Sequence, residues 1–384
     1  MPVWREICTL NFNTIAMKFR LSLLWLLICL SCTRQEPLEE HSIPTRGVWL
    51  TNVVSEAMFS QENIENAIKE IKTYGFNSVF VVCWNRGYTL YPSAVMEEEF
   101  GIAIDPKHAG RDPLQEVIDA AKKHGLKTYA WFEFGFSSSY EEEAGGHILR
   151  KNPQWAAIDT AGQIVSKNGF QWMNAFDPEV QGFVLSLLKE VVEKYELDGI
   201  QGDDRLPALP SMAGYDPYTL KLYRDSHQGA DPPRDIFDSA WIDWRANLLN
   251  QFMKKLHQEV KSLEPEMEIS VSPSIYPWSK EQYLQDWPTW VEEGWVDMVV
   301  PQIYRYNFES YQAELGKILH EQVDSSHWNK LYPGILLRVG DYYAQDSLLD
   351  LFVRENRKQG LEGEVFFYYE GLSKRKEFFQ QLYP

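Results

Sequence analysis

Eight short β-rich runs separated by helical stretches set the strongest limit on how this chain can fold. They are RGVWLT (46–51), SVFVVCW (78–84), KTYAWFEF (127–134), LDGIQGD (197–203), EISVSPS (268–274), VDMVVPQIY (296–304), LYPGILL (331–337) and EVFFYYE (364–370). Between them ENIENAIKEIKTYG, PLQEVIDAAKKHG and PEVQGFVLSLLKEVVEKY carry the apolar spacing of amphipathic helices, and the first two close on Gly75 and Gly125 as C-cap signals. Strands that alternate with helices make a parallel sheet covered by helices, and eight strands are the number that closes a barrel. The expectation is an α/β protein with a single (β/α)8 TIM-type barrel over 45–384 and no second domain. An open doubly wound sheet is the competing arrangement. No G-x-G-x-x-G or P-loop follows any run, which removes its usual nucleotide-binding form.

The segment before the barrel has the pattern of an export signal. MKFRLSLLWLLICLSC (17–32) sets basic Lys18 and Arg20 before an apolar stretch from Leu21 to Leu30, then Ser31 and Cys32. That stretch is too short to span a bilayer and fits a signal-peptide core. The small residue before Cys32 resembles a bacterial lipoprotein cleavage box, with Met17 as an alternative start. The expected organisation is a signal peptide over 1–31, lipidation on Cys32 and a polar tether over 32–44. TRQEPLEE has no Asp directly after Cys32, which by resemblance to sorting rules points to the outer membrane of a Gram-negative cell.

Composition then narrows the partners. The formal net charge of −18 argues against nucleic acid, whose interfaces are strongly basic. The 14 Trp and 20 Tyr supply core packing and also flat platforms of the kind that hold sugar rings. Cys83 is the one thiol that processing at Cys32 leaves free, and its apolar run marks it as a buried structural cysteine. No Cys/His cluster has metal-site spacing, so neither a metal nor another cofactor is expected.

In a barrel of this type, chemistry belongs to the C-terminal ends of the strands and the loops after them. Side-chain alternation puts Gln201 and Asp203 on one face of the fourth run. Ser270, Ser272 and Ser274 share a face of the fifth, and Gln302 and Tyr304 a face of the sixth. Residues of the other parity, such as Ile200, Val271 and Ile303, are apolar and suit packing against helices. Asp203 is thus expected to point into the barrel mouth. Asp204, one residue on, is expected to turn sideways and to be held by Arg205 or a loop amide.

Glycosidic hydrolysis normally needs two carboxyl groups. Glu133, at the end of the third run, is the best partner for Asp203, with Asp204 completing the candidate catalytic set. Glu370 and Asp286 are further carboxylates for the mouth, and Asp286 suits a helix cap equally well. Trp84, Asn85, Arg86 and Tyr88 offer stacking and hydrogen-bonding groups for a sugar. Asn174, Gln201, Ser274, Tyr276, Gln302 and Tyr304 complete the candidate substrate-binding set. Asp177 reads as a helix start, and Asp297 as a structural residue at the barrel bottom.

The segments RGVWLT, AWFEFGF, LDGIQGDDR, VSPSIYP and YLQDWPTWVEEGWVDMVVPQIYRY resemble the family-10-like glycosyl hydrolases, from about Arg46 to near the C-terminus. The WFEFGF and DGIQ-x-DDR forms look most like bacterial outer-membrane lipoproteins that act on cell-wall glycan. The resemblance implies an exported lipoprotein, anchored in the membrane through Cys32, that hydrolyses β-linked glycan such as peptidoglycan strands. Asp203 would be the central carboxylate and Glu133 the general acid. A glycan-binding lipoprotein without turnover and a structural envelope lipoprotein that binds a protein partner are the other two readings.

Overall fold

In the computed structural model, which describes residues 44–383, the eight expected runs all contain strands. They are β1 (Arg46–Leu50), β2 (Ser78–Val82), β3 (Lys127–Phe132), β4 (Gly199–Gly202), β5 (Glu268–Val271), β6 (Met298–Val299), β7 (Gly334–Leu336) and β8 (Glu364–Phe367). All eight lie parallel in one sheet, in the order β6-β5-β4-β3-β2-β1-β8-β7. Parallel bridges from Val299 to Leu331 and from Gln302 to Gly334 bring the two edge strands together. Every strand therefore neighbours its sequence neighbours around a ring, as a TIM-type barrel requires.

Each strand is shorter than its run, for reasons that matter at the mouth. β6 stops before Pro301, which has no N–H for the ladder. Val300 and Gln302 still donate to the Val271 and Pro273 carbonyls, so the chain follows β5 to the barrel rim. β4 stops at Gly202 because the chain folds back over it. A side chain at Gly202 would overlap the Leu206 carbonyl.

The principal helices are α1 (Gln61–Thr73), α2 (Pro113–His124), α3 (Pro178–Lys194), α4 (Ser239–Leu263), α5 (Trp287–Glu292), α6 (Phe308–Lys317), α7 (Asp346–Lys358) and α8 (Lys376–Leu382). Their starts are written in local chemistry. Ser60, Asp112, Asp177, Asp238 and Asn307 each accept a backbone N–H of the first turn, and Pro113 and Pro178 sit at N1. Gly125 ends α2 in the left-handed region, as its position in the sequence predicts. The apolar helix faces pack on the sheet. α1, for example, buries Ile64, Ala67, Ile68 and Ile71.

The two ends of the barrel differ. Most connections at the strand N-terminal end are short, the one from α6 to β7 excepted, and Asp297 there accepts the Ile269 N–H and pairs with Lys261 at 2.9 Å, the structural role expected of it. The connections after β2, β3 and β4 are long and carry their own hairpins and short helices. Cys83 is fully buried, and burial pushes its thiol well above the ordinary range, which leaves it unreactive. The signal-peptide reading, Cys32 and tether residues 32–43 lie outside the described residues.

Candidate active site

Two loops at the C-terminal end of the barrel interlock and carry the carboxylates. Gly135, just past β3, has φ +48°, and any side chain there would overlap the Arg205 carbonyl. That close approach lets Phe136 N–H bond the Arg205 carbonyl at 3.0 Å, while Arg205 Nε donates to the Glu133 carbonyl at 2.8 Å. The loop after β3 and the loop after β4 are thereby fixed to each other by one main-chain bond and one bond from the Arg205 side chain.

Glu133, Asp203 and Asp204 converge on the Arg205 guanidinium. Its Nη2 lies 2.8 Å from Asp203 Oδ2 and 3.7 Å from Glu133 Oε1, so these oxygens are at most the sum of those distances, 6.5 Å, apart. Nη1 lies 2.7 Å from Asp204 Oδ1, as an ion pair without hydrogen-bond alignment. Asp203 accepts two further donors, the Asp204 N–H at 2.7 Å and Gln302 Nε2 at 2.8 Å. Asn85 Nδ2 donates to Glu133 Oε2 at 2.5 Å and to Asn52 Oδ1 at 3.0 Å.

All three carboxylates line one cavity of about 210 Å³. Trp49, Trp131, Phe170 and Phe367 supply its apolar walls, and Ser272, Gln302 and Tyr304 its polar ones. Two larger hollows lie elsewhere on the surface of the described residues, and neither gathers three carboxylates around a buried guanidinium. The chemistry is in the smaller cavity.

The cluster is short of positive charge. Three carboxylates face one guanidinium, and burial disfavours each charged form. Burial, with a smaller push from Asp204, raises Glu133 to about 7 against the opposing pull of Arg205 and Arg86. Burial first, then the Asp204 charge, pushes Asp203 well up too. Burial would lower Arg205, but Asp204, Asp203 and Glu133 together outweigh it and raise the guanidinium further, so it stays charged. The cluster must hold at least one proton near neutrality. Three N–H donors converge on Asp203, which favours its ionised form, while Glu133 has only the Asn85 amide in close contact. Glu133 is where the shared proton belongs.

Other candidates occupy different positions. Asp204 does not turn away from the mouth as alternation predicts; it lines the cavity beside Asp203, because β4 ends at Gly202 and the next residues are a turn. Arg205 nevertheless holds it. Gln201 is fully buried below the cavity, accepting from Trp49 Nε1 at 2.7 Å and donating to Ser270 at 2.9 Å. Trp84 is also fully buried, its indole donating to the Gly135 carbonyl at 3.0 Å, so it supports the loop after β3 from beneath. Asn174 is buried against Thr219 and accepts the Phe176 N–H, a loop-shaping role.

Arg86 is exposed, with φ +52° and its guanidinium 5.6 Å from the Tyr140 ring centre. Tyr88 packs on His147. Ser274 gives its carbonyl to Trp287, and Tyr276 borders a separate hollow with Phe237 and Lys280. Asp286 stands at the head of α5, buried, with Thr289 Oγ1 at 3.0 Å and Lys280 at 3.6 Å. Glu370 sits three residues past β8 and accepts from Ser55 Oγ at 2.7 Å, outside the cavity lining. The aromatic walls Trp49, Trp131 and Phe367 are absent from the sequence-based set. Their signal was strand parity, since Trp131 pairs with Gln201 in register.

The chain has relatives among known proteins. The model of the family described as Glycosyl hydrolase-like 10 matches residues 44–338. Glycosyl hydrolase DigH of Escherichia coli K12 is 26% identical over 305 residues, covering 69% of this chain and 66% of that protein. Glycosyl hydrolase YngK of Bacillus subtilis 168 is 25% identical over 292 residues, covering 67% of this chain and 54% of the relative. The chain thus matches about two thirds of the length of the first and about half of the second. Among solved structures, the PgaB glycoside hydrolase domain from Bordetella bronchiseptica superposes with a TM-score of 0.65 at 14% identity, over 87% of this chain and 97% of that one. Alpha-L-fucosidase isoenzyme 2 from Paenibacillus thiaminolyticus gives 0.64 at 17% identity, over 88% and 49%. At such identities the likeness is one of fold.

Proposed function

The chain belongs to the glycosyl hydrolase-like 10 family, and from that premise we propose that it is a glycoside hydrolase of cell-wall glycan, with peptidoglycan strands as substrate. The observation that carries the reading is the convergence of Glu133, Asp203 and Asp204 on Arg205 in one aromatic-walled cavity at the C-terminal end of the barrel. Glu133, whose carboxyl is raised to about 7, donates its proton to the leaving glycosidic oxygen. Asp203 meets the anomeric carbon as the bond to that oxygen breaks, and water later restores both groups. An oxygen separation of at most 6.5 Å is compatible with direct attack, for which carboxyls stand about 5–5.5 Å apart. Attack by an interposed water needs about 6.5–9.5 Å.

The same reading makes the protein an exported lipoprotein. The apolar segment before Cys32 and the small residue at Ser31 support it, with the thiol of Cys32 carrying the lipid and an outer-membrane location following.

The test is incubation with purified peptidoglycan and with peptide-free glycan strands, followed by chromatography of soluble products. Release of sugar fragments that fails in Asp203→Asn supports the hydrolase. Sedimentation with the glycan without release would make the protein a binder instead.

A further inference from the structure

Glu133 is held from outside the cavity lining by the hairpin that follows β2. Trp84–Asn85 pairs antiparallel with Tyr88–Thr89 across a turn of two residues, Arg86 and Gly87. Both have positive φ, +52° and +78°, the pattern of a tight two-residue hairpin. At Gly87 a side chain would overlap the Ser138 carbonyl, so the tip packs directly on the segment after β3. Two bonds fix the base of the hairpin to the residues that follow Glu133. Phe134 N–H donates to the Trp84 carbonyl at 3.2 Å, and the Trp84 indole donates to the Gly135 carbonyl at 3.0 Å.

Asn85 is buried on this hairpin, and its amide reaches the carboxyl itself. Its Nδ2 donates to Glu133 Oε2 at 2.5 Å and to Asn52 Oδ1, in the loop after β1, at 3.0 Å. Its own oxygen is buried with no hydrogen-bond partner among the described residues. Turning the amide over would set that oxygen against the Asn52 and Glu133 oxygens, acceptor against acceptor. The orientation is therefore fixed although it leaves a buried acceptor unpaired, which calls for a reason. In a neutral carboxyl the carbonyl oxygen is the better acceptor and the other oxygen carries the proton. A donor on Oε2 thus assigns the proton to Oε1. Oε1 lies 3.7 Å from Arg205 Nη2, the same nitrogen that binds Asp203 at 2.8 Å. A glycosidic oxygen held between the two carboxyls meets the proton on that side.

We propose that Asn85, oriented by Asn52, is a positioning residue that places the proton of the general acid on Glu133 Oε1, the oxygen facing the bond to be broken. The proposal rests on the glycan-hydrolase reading with Glu133 as its acid. It goes beyond that reading by assigning the oxygen that delivers the proton and the residues that enforce the choice. As the bond from the anomeric carbon breaks, its electron pair goes to the glycosidic oxygen, which takes the proton from Oε1. Glu133 is left as a carboxylate, and the Asn85 bond to Oε2 persists throughout.

The test measures kcat and melting temperature for wild type, Asn85→Ala, Asn52→Ala and Glu133→Gln. Substrates are peptide-free glycan strands and a dinitrophenyl disaccharide, whose leaving group needs no proton. A positioned acid supplies roughly 10²–10⁴-fold, so Asn85→Ala should lower kcat on strands by roughly 10–100-fold and on the dinitrophenyl substrate by no more than about threefold. Asn52→Ala, which frees the Asn85 amide to turn over, should show the same split to a smaller extent. It carries the test should Asn85→Ala fail to fold. Equal loss on both substrates would make Asn85 a structural residue alone, and unchanged kcat on strands would remove it from the mechanism. Either result overturns the proposal while the hydrolase stands. Glu133→Gln separates the two failures, because the absence of a split there puts the acid elsewhere and the positioning role falls with it. A wild type that cleaves neither substrate overturns both.

Discussion

Arg205 Nε donates to the main-chain carbonyl of Glu133 at 2.8 Å while the same guanidinium pairs with Asp203 at 2.8 Å. One side chain therefore fixes both the loop that carries the acid and the charge that opposes it. Removing that charge leaves buried carboxylates uncompensated, which costs about 3–5 kcal/mol in comparable pairs. Arg205→Gln should lower the stability by an amount in that range and abolish turnover. Arg205→Lys should recover part of the stability but little activity, because an ammonium cannot bridge three carboxylates and a carbonyl at once. Urea denaturation with parallel activity measurement decides it. An unchanged midpoint for Arg205→Gln would mean that the guanidinium does not hold the cluster.

The two adjacent aspartates should separate sharply. Asp203 accepts three donors and its side chain is 4% exposed, whereas Asp204 has one poorly aligned ion pair and is 25% exposed. Asp203→Asn should cut kcat by roughly 10³-fold or more, the scale for losing charge stabilisation at a developing cation, while glycan still binds. Asp204→Asn should cost no more than about tenfold, since it tunes Arg205 and Asp203 through charge. Because the amide introduced by Asp203→Asn would face donors from Arg205 and Gln302, melting temperatures are measured alongside. The reverse ranking would make Asp204 the central carboxylate.

This contrast also marks how far the sequence could be read. Short β-rich runs between helical stretches found all eight strands, and strand-end logic put Glu133 and Asp203 at the mouth. Alternation holds only while the chain is extended, and it failed wherever a strand ended early. β4 stops at Gly202, so Asp204 faces the cavity, and β2 stops at Val82, so Trp84 drops into the core beneath Gly135. The interlock of Gly135 with Arg205 joins residues far apart in the chain, and no local pattern carries it. Trp49 and Trp131 were passed over for a different reason, although strand parity set Trp131 level with Gln201. An apolar ring at a strand end looks like core until the barrel shows which side is open.

Anchoring is tested independently of chemistry. Cys32→Ser removes the thiol that would carry the lipid, while the family match begins at residue 44 and leaves the barrel untouched. The variant should move from the membrane pellet to the soluble envelope fraction with unchanged specific activity on glycan strands. Persistence in the pellet after a high-salt wash would refute lipidation at this position.

The last prediction follows the proton on Glu133. Its ordinary value is 4.5 and its folded value about 7, so the folded protein binds a proton that the unfolded chain has released between those limits. Stability therefore falls as pH rises from about 4.5 to 7 and levels off above, by a total on the order of 3 kcal/mol if Glu133 acted alone. Glu133→Gln cannot ionise, so the part of that slope due to Glu133 should vanish from its pH-stability profile. Activity should follow the same proton, with kcat/KM declining above about pH 7 as the acid form is lost. A substrate with an activated leaving group, which needs no protonation, should lose that alkaline limb and partly rescue Glu133→Gln. If Glu133→Gln keeps the wild-type alkaline limb on the natural glycan, the acid is another group of the cluster.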